Sequence, residues 1–177
     1  MAQEFETKIL NINVLEIEKK LFKIGAKNHP EVLMKRYVFN LDLNGDEWIR
    51  LRDDGHKTTI TYKKKTGTGI GQTEEIETIV DNFEKTAEIF LKIPFQGIFY
   101  QENKRKLFVL NDIEFTIDTW PLIPSYLEIE SLNEEKVKQG LTILGLENKD
   151  IGDLSVKDTY LKYNIDLHAY RELKFKI

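Results

Sequence analysis

Charged and uncharged residues alternate along the segment of residues 3–10, close to the start of the sequence. The charged side chains occupy every second position and are Glu4, Glu6 and Lys8. Because successive side chains of a β-strand point to opposite faces, this spacing predicts a strand with its charges on one face. The same alternation recurs in most of the later segments that resemble strands, and it therefore indicates a sheet with one charged face and one apolar face.

Carboxylates occur in three of these segments as pairs that are two residues apart, and the pairs are Glu4/Glu6, Glu75/Glu77 and Glu128/Glu130. Each pair places two negative charges on one strand face, where they repel each other unless a cation lies between them. A charged face of an antiparallel sheet commonly points to solvent, so solvation remains the alternative explanation for any single pair. A divalent metal explains all three pairs more economically. Mg²⁺ and Mn²⁺ prefer oxygen ligands, and Mg²⁺ is commonly held by carboxylates together with substrate phosphate.

Basic residues lie on similar strand faces and form a complementary set, which consists of Lys8, Arg50, Arg52, Lys63 and Arg105. Ammonium and guanidinium groups are the donors that proteins use to bind phosphate oxygens. The sequence therefore predicts a site in which carboxylates hold a metal and cations hold a polyanion.

Three amphipathic segments predict helices that cover the apolar face of the sheet. The residues expected to cap them are Asn13, then Asp81 or Asn82, and Asn133. The first helix is expected to run to about Ala26, and a short fourth helix is expected near Ser155. After the first strand, extended structure is predicted for residues 35–43, 48–52, 57–65, 73–80, 98–110, 113–120 and 126–130.

Length and composition limit the classes of protein that this chain can represent. The 177 residues suit a single domain, predicted over residues 1–177. The absence of cysteine excludes disulfides, thiolate metal sites and a cysteine nucleophile. The net charge of −4 argues against a nucleic-acid partner. Without an apolar leader or a run long enough to span a bilayer, we expect a cytoplasmic protein with no membrane association.

The charged motifs and their order along the chain resemble the CYTH domain family, also called triphosphate tunnel metalloenzymes. This family includes class IV adenylyl cyclases, thiamine triphosphatases and inorganic triphosphatases. The resemblance covers about residues 1–163. The matching segments are Glu4-Phe5-Glu6-Thr7-Lys8, Ile49-Arg50-Leu51-Arg52, Thr61-Tyr62-Lys63, Glu75-Ile76-Glu77, Arg105, Asp118 and Glu128-Ile129-Glu130.

The resemblance implies an α+β fold, in which an eight-stranded antiparallel β-barrel encloses a charged triphosphate tunnel and carries helices on its outside. It implies catalytic roles for Glu4, Glu6, Lys8 and Glu130. Phosphate binding is implied for Lys8, Arg50, Arg52, Lys63 and Arg105. Binding of Mg²⁺ or Mn²⁺ is implied for Glu4, Glu6, Glu75, Glu77, Asp118, Glu128 and Glu130. The family analogy also favours a homodimer.

Three functions follow from the resemblance, and the sequence leaves all of them open. The first is metal-dependent hydrolysis of a small triphosphate, which would be inorganic triphosphate or a nucleoside or thiamine triphosphate. The second is the class IV adenylyl cyclase reaction, which converts ATP to cyclic AMP and pyrophosphate. The segment from Trp120 to Glu130 favours this second function, because it most resembles class IV members. The third is a catalytically silent module that binds polyphosphate or nucleotide.

Overall fold

The computed structural model describes residues 5–66 and 73–176, and these residues fall into two compact units. The first unit comprises residues 1–32 and 104–167, and the second comprises residues 33–103 and 168–177, each within the described ranges. The prediction of one domain over residues 1–177 stays a prediction. Glu4, one of the predicted catalytic residues and metal ligands, lies outside the described residues.

The described residues form strands and four α-helices. The strands are β1 (Phe5–Ile9), β2 (Lys27–Asn28), β3 (Val32–Asn40), β4 (Glu47–Asp53), β5 (Thr58–Lys65), β6 (Thr73–Val80), β7 (Gly97–Leu110), β8 (Ile113–Thr119), β9 (Tyr126–Ser131) and β10 (Glu172–Leu173). The helices are α1 (Val14–Lys23), α2 (Phe83–Phe90), α3 (Glu134–Leu144) and α4 (Val156–Leu161). None of these helices is long and apolar enough to cross a membrane.

The first unit contains an antiparallel ladder in the order β1-β9-β8-β7, to which β7 contributes residues 104–110. Helices α1 and α3 cover one face of this ladder, and their Leu21 and Leu141 pack with Phe115 and Ile129 in the core. Close packing requires a glycine at one point of α3. A Cβ on Gly140 would lie only 2.8 Å from a methyl carbon of Ile129. The opposite face of the ladder carries the charged residues, as the alternation predicts.

The second unit contains the ladder β7-β3-β4-β5-β6, to which β7 contributes residues 97–103. Helix α2 packs against this ladder, where Phe83 and Ala87 join Phe39 and Leu51 in a second core. β10 pairs with β7 in parallel. The sequence predicts that helices cover the apolar face of the sheet. On β6 this prediction fails at Ile76, whose side chain is 64% exposed within the described residues.

Asparagine side chains cap the first three helices as the sequence predicts. Asn13 accepts from the backbone N–H of Glu16, Asn82 from that of Lys85, and Asn133 from that of Glu135. The predicted end of α1 is wrong by three residues. The helix ends at Lys23 rather than near Ala26, because Gly25 adopts a left-handed conformation with φ of 78°.

The predicted fold class is confirmed in its main features. The chain has an α+β structure with a large, mainly antiparallel sheet. The sheet has ten described strands rather than eight: eight follow the order β1-β9-β8-β7-β3-β4-β5-β6, and β2 and β10 also pair with β7. In the described residues the ladder of the first unit ends at β1 and that of the second unit ends at β6. Closure of the strands into a barrel therefore stays a prediction. The sequence predicts extended structure for residues 35–43. The strand β3 there runs from Val32 to Asn40, and bends follow it.

Candidate active site

The register between β1 and β9 builds a cluster of carboxylates in the first unit. Glu6 lies directly opposite Glu130, and Lys8 lies directly opposite Glu128. Directly opposed residues of an antiparallel pair share a face and have neighbouring Cβ atoms. Glu6, Glu128 and Glu130 each offer one carboxylate oxygen, and these three oxygens lie within 4.8 Å of one another. We call these three residues the carboxylate cluster.

Lys8 lies beside the carboxylate cluster and is almost completely buried, with its side chain 4% exposed. Its Nζ lies 2.9 Å from Glu6, 3.2 Å from Glu128 and 3.8 Å from Asp153. Burial on its own disfavours the ammonium form, but the charges of Glu128 and Glu6 outweigh it and raise the pKa of Lys8. Lys8 is therefore a permanent cation. Together with the three carboxylates, it gives this group of side chains a formal charge of −2.

Glu6 and Glu128, the two cluster carboxylates beside Lys8, both have raised pKa values. Burial raises the pKa of Glu6, and a hydrogen bond with Asp153 adds to the shift. Burial also raises the pKa of Glu128, although the charges of Lys8 and Arg105 oppose the change. Both shifts mean that burial disfavours the charged form of these carboxylates, which a bound cation would stabilise. The cluster offers only hard oxygen donors, so its chemistry fits Mg²⁺ or Mn²⁺.

Arg105 and Asp118 form a two-pronged ion pair beside the cluster. Nε and Nη2 of Arg105 donate to the two carboxylate oxygens of Asp118 at 3.0 and 2.6 Å, and Nη2 lies 3.5 Å from Glu128. The side chain of Asp118 is fully buried. Burial disfavours the guanidinium charge, but the charge of Asp118 outweighs it and raises the pKa of Arg105. Asp118 is not one of the three clustered carboxylates, and its contacts orient Arg105.

Strands β4, β5 and β6 form rows of charged residues in the second unit. One row runs from Arg50 through Thr61 to Glu77, and Lys63 lies opposite Glu75 in the next row. Lys63 donates to Glu75 at 2.6 Å, while the hydroxyl of Thr61 donates to Glu77 at 2.7 Å. Nη2 of Arg50 lies 3.9 Å from Glu77. Glu75 and Glu77 therefore form contacts with donors of their own unit.

The two arginines of β4 each have a buried donor that the described residues do not satisfy. The Nε atoms of Arg50 and Arg52 are buried and have no hydrogen-bond partner among the described residues. Burial, together with the charge of Arg52, lowers the pKa of Arg50 to about 10. Both observations favour an anionic ligand, because an anion would accept from the buried donors and stabilise the charge of Arg50.

Asp153 is a contact of the site that sequence reasoning missed. It follows a segment that is fixed to β1 by its backbone. The N–H of Lys8 donates to the carbonyl of Gly152 at 3.2 Å, and the N–H of Ile151 donates to the carbonyl of Lys8 at 3.1 Å. The hydroxyl of Thr7 also donates to Asp150. An acidic residue next to a glycine was the only local signal, and it is typical of an ordinary turn.

Comparison with known sequences decides the family. The sequence model of the CYTH domain family matches residues 2–160 of this chain. This chain belongs to the CYTH domain family. The match confirms the resemblance that the ordered motifs indicated.

Known proteins that resemble this CYTH chain include proteins from Methanocaldococcus jannaschii, Pyrococcus horikoshii and Hippeastrum. The chain is 26% identical over 173 residues to MJ0240 of Methanocaldococcus jannaschii, which is named as a candidate adenylate cyclase. That alignment covers 93% of this chain and 86% of MJ0240. The structure of PH1012 from Pyrococcus horikoshii shares its fold with a TM-score of 0.66 and 24% identity, covering 86% of this chain and 96% of that one. HpAC1 from Hippeastrum, a candidate adenylyl cyclase described as having a dominant triphosphatase activity, aligns with a TM-score of 0.54 and 14% identity over 92% and 96% of the two chains.

The structure groups the predicted CYTH site residues within each unit. The first unit brings together Glu6, Lys8, Arg105, Asp118, Glu128 and Glu130. The second unit brings together Arg50, Arg52, Lys63, Glu75 and Glu77. The roles of these residues in catalysis, phosphate binding and metal binding stay predictions.

Proposed function

We propose that this protein is a metal-dependent triphosphatase that hydrolyses a small triphosphate. The observation that carries the proposal is the carboxylate cluster, in which three carboxylate oxygens lie within 4.8 Å of one another around the buried Lys8. Three carboxylates this close together repel one another, and a bound cation would offset that repulsion. Family membership, with residues 2–160 matching the CYTH domain, supports the same assignment.

In this proposal Glu6, Glu128 and Glu130 hold Mg²⁺ or Mn²⁺. The bound cation would supply charge neutralisation at phosphate oxygens and a lowered pKa for bound water. The ammonium group of Lys8 contacts Glu6 and Glu128 and orients their carboxylates toward a common point. Lys8 also keeps part of the negative charge balanced, which allows the cluster to form before a metal arrives.

Phosphate binding is assigned to basic side chains that the structure already orients. In the first unit, Asp118 holds the guanidinium group of Arg105 with two hydrogen bonds. In the second unit, Arg50 and Arg52 each have a buried Nε without a partner among the described residues. Catalysis of phosphoryl transfer depends mainly on positioning and on stabilisation of negative charge, so the held cation of Arg105 and the unsatisfied donors of Arg50 and Arg52 are suited to it.

Cyclisation of ATP is the second candidate reaction, and the name of the Methanocaldococcus jannaschii relative favours it. The description of the Hippeastrum protein favours hydrolysis, because it attributes a dominant triphosphatase activity to a candidate cyclase. Both reactions require a bound triphosphate. They differ in the attacked phosphorus and in the nucleophile, and hydrolysis needs only water.

Product analysis tests the proposal. Purified protein is incubated with inorganic triphosphate and, separately, with ATP, in Mg²⁺, Mn²⁺ or EDTA. Orthophosphate from triphosphate that disappears in EDTA supports the hydrolase. Formation of cyclic AMP and pyrophosphate from ATP would favour the cyclase reaction over the proposed hydrolysis. Binding of triphosphate without any product would indicate a catalytically silent binding module.

A further inference from the structure

Two buried threonines of β5 lie on the charged face of the second unit but have different surroundings. Thr59 is 1% exposed and Thr61 is fully buried. Thr61 lies opposite Glu77 on β6 and donates its hydroxyl to that carboxylate at 2.7 Å. Thr59 lies opposite Ile79, whose side chain has no acceptor. Among the described residues, the hydroxyl of Thr59 has no hydrogen-bond partner.

On its other side, Thr59 lies directly opposite Arg52 of β4. Directly opposed residues share a face and have neighbouring Cβ atoms, so the hydroxyl and the guanidinium group belong to one local surface. The Nε of Arg52 is also buried without a partner among the described residues. Two neighbouring buried donors therefore lack an acceptor.

Buried polar groups in folded proteins are almost always hydrogen-bonded, and each exception calls for an explanation. An acceptor from outside the chain would satisfy both groups. It must be rich in oxygen, because both groups can donate, and it must be anionic, because Arg50 and Arg52 lie on the same strand face. A phosphoryl group meets these requirements, since its oxygens accept several hydrogen bonds at once.

We infer that the hydroxyl of Thr59 is a substrate-binding donor and that, together with the Nε of Arg52, it contacts a phosphoryl group of the triphosphate. This inference rests on the proposed function and adds a neutral donor to the predicted set of cations. A hydroxyl contributes a hydrogen bond without adding to the repulsion between Arg50 and Arg52. It also imposes a distance and a direction that a mobile ammonium group does not impose.

Binding of inorganic triphosphate, measured by calorimetry in EDTA, tests the inference without turnover. Thr59→Val keeps the shape of the side chain and removes the donor, so the affinity should fall about 10-fold or more. Thr59→Ser keeps a hydroxyl and should bind within about threefold of the wild-type protein. Thr58→Val is the matched control, because Thr58 is the adjacent residue on the opposite face of β5 and should not affect binding.

Thermal unfolding without ligand separates a binding role from a structural one. Thr59→Val removes a hydroxyl that has no partner in the described part of the chain, so the melting temperature should remain unchanged or rise. Thr61→Val removes the hydrogen bond to Glu77 and should lower the melting temperature by several degrees.

If Thr59→Val bound triphosphate with wild-type affinity, the inference would be overturned and the proposed function would remain intact. The same would follow if Thr59→Ser bound triphosphate as weakly as Thr59→Val. A strong loss of stability in Thr59→Val without ligand would also overturn it, since the hydroxyl would then have a structural partner. No binding of triphosphate by the wild-type protein, in EDTA or with Mg²⁺ or Mn²⁺, would contradict both the proposed function and this inference. If the wild-type protein binds only with metal, the same variants are compared in that metal.

Discussion

The ammonium group of Lys8 lies 3.2 Å from a carboxylate oxygen of Glu128, its direct neighbour across the β1–β9 ladder. Both side chains are less than one tenth exposed. Charges in such surroundings interact strongly, and removal of one partner leaves the other buried without compensation. The pair is therefore both a structural element of the first unit and the centre of the proposed metal site.

Replacement of Lys8 by methionine should destabilise the metal-free protein by about 3 kcal/mol or more, because Glu6 and Glu128 lose their shared cation. Urea unfolding in EDTA measures this loss. Lys138→Met is the control, since that lysine is largely exposed and its replacement should leave stability almost unchanged. Equal stabilities of Lys8→Met and the wild-type protein would show that the carboxylates do not depend on Lys8.

Metal binding should stabilise the folded protein, because the carboxylate cluster forms only in the native state. At a metal concentration of about 100 times the dissociation constant, the gain is about 2.7 kcal/mol, or about 5–10 °C in melting temperature. Glu130→Gln should abolish most of this gain. Glu74→Gln, which changes an exposed strand carboxylate, should retain it. A melting temperature that does not respond to Mg²⁺ or Mn²⁺ would contradict the metal assignment.

Arg105→Lys should weaken substrate binding, since a lysine cannot reproduce both hydrogen bonds to Asp118. We expect KM to rise about 10-fold or more, with a smaller change in kcat, because the loss affects a phosphate contact. Steady-state kinetics with triphosphate measures both constants. Unchanged kinetics in Arg105→Lys would remove Arg105 from the binding set.

The hydrogen bond between Thr61 and Glu77 predicts a specific pH dependence of stability. This hydrogen bond lowers the pKa of Glu77 below its ordinary value of 4.5. A carboxyl with a lowered folded-state pKa stabilises the protein above its unfolded-state pKa, and this contribution is lost as the pH falls through the folded-state value. Thr61→Val should therefore be less stable than the wild-type protein above pH 4.5, and the difference should shrink below it.

Denaturant unfolding at several pH values measures this difference. Thr59→Val is the matched control, since Thr59 has no carboxylate opposite it. A difference between Thr61→Val and the wild-type protein that stays constant from pH 7 to pH 3 would contradict the role assigned to Glu77.

Local sequence patterns predicted the features that depend on neighbouring residues, which are the faces of the strands and the caps of the helices. The alternation of Glu6 and Lys8 with uncharged residues was enough to place both on one face of β1, where the structure has them. The caps at Asn13 and Asn133 depend on the nearest backbone N–H groups, and both were predicted correctly.

Features that depend on contacts between distant segments were not predictable in the same way. The approach of Asp153 to Lys8 depends on backbone hydrogen bonds between β1 and a segment more than 140 residues later. The difference between Thr59 and Thr61 depends on the register of β5 against β6, which places Ile79 beside one hydroxyl and Glu77 beside the other. Register is a property of the assembled sheet, so a single strand pattern does not specify it.

Release of orthophosphate from inorganic triphosphate by the wild-type protein, Glu130→Gln and Glu74→Gln tests the central claim most directly. We expect rapid release by the wild-type protein and Glu74→Gln in Mg²⁺ or Mn²⁺, with none in EDTA. The rate should fall about 100-fold or more in Glu130→Gln, which should still fold and bind triphosphate. Wild-type rates in Glu130→Gln, or release that persists in EDTA, would contradict the assignment of the carboxylate cluster as the catalytic metal site.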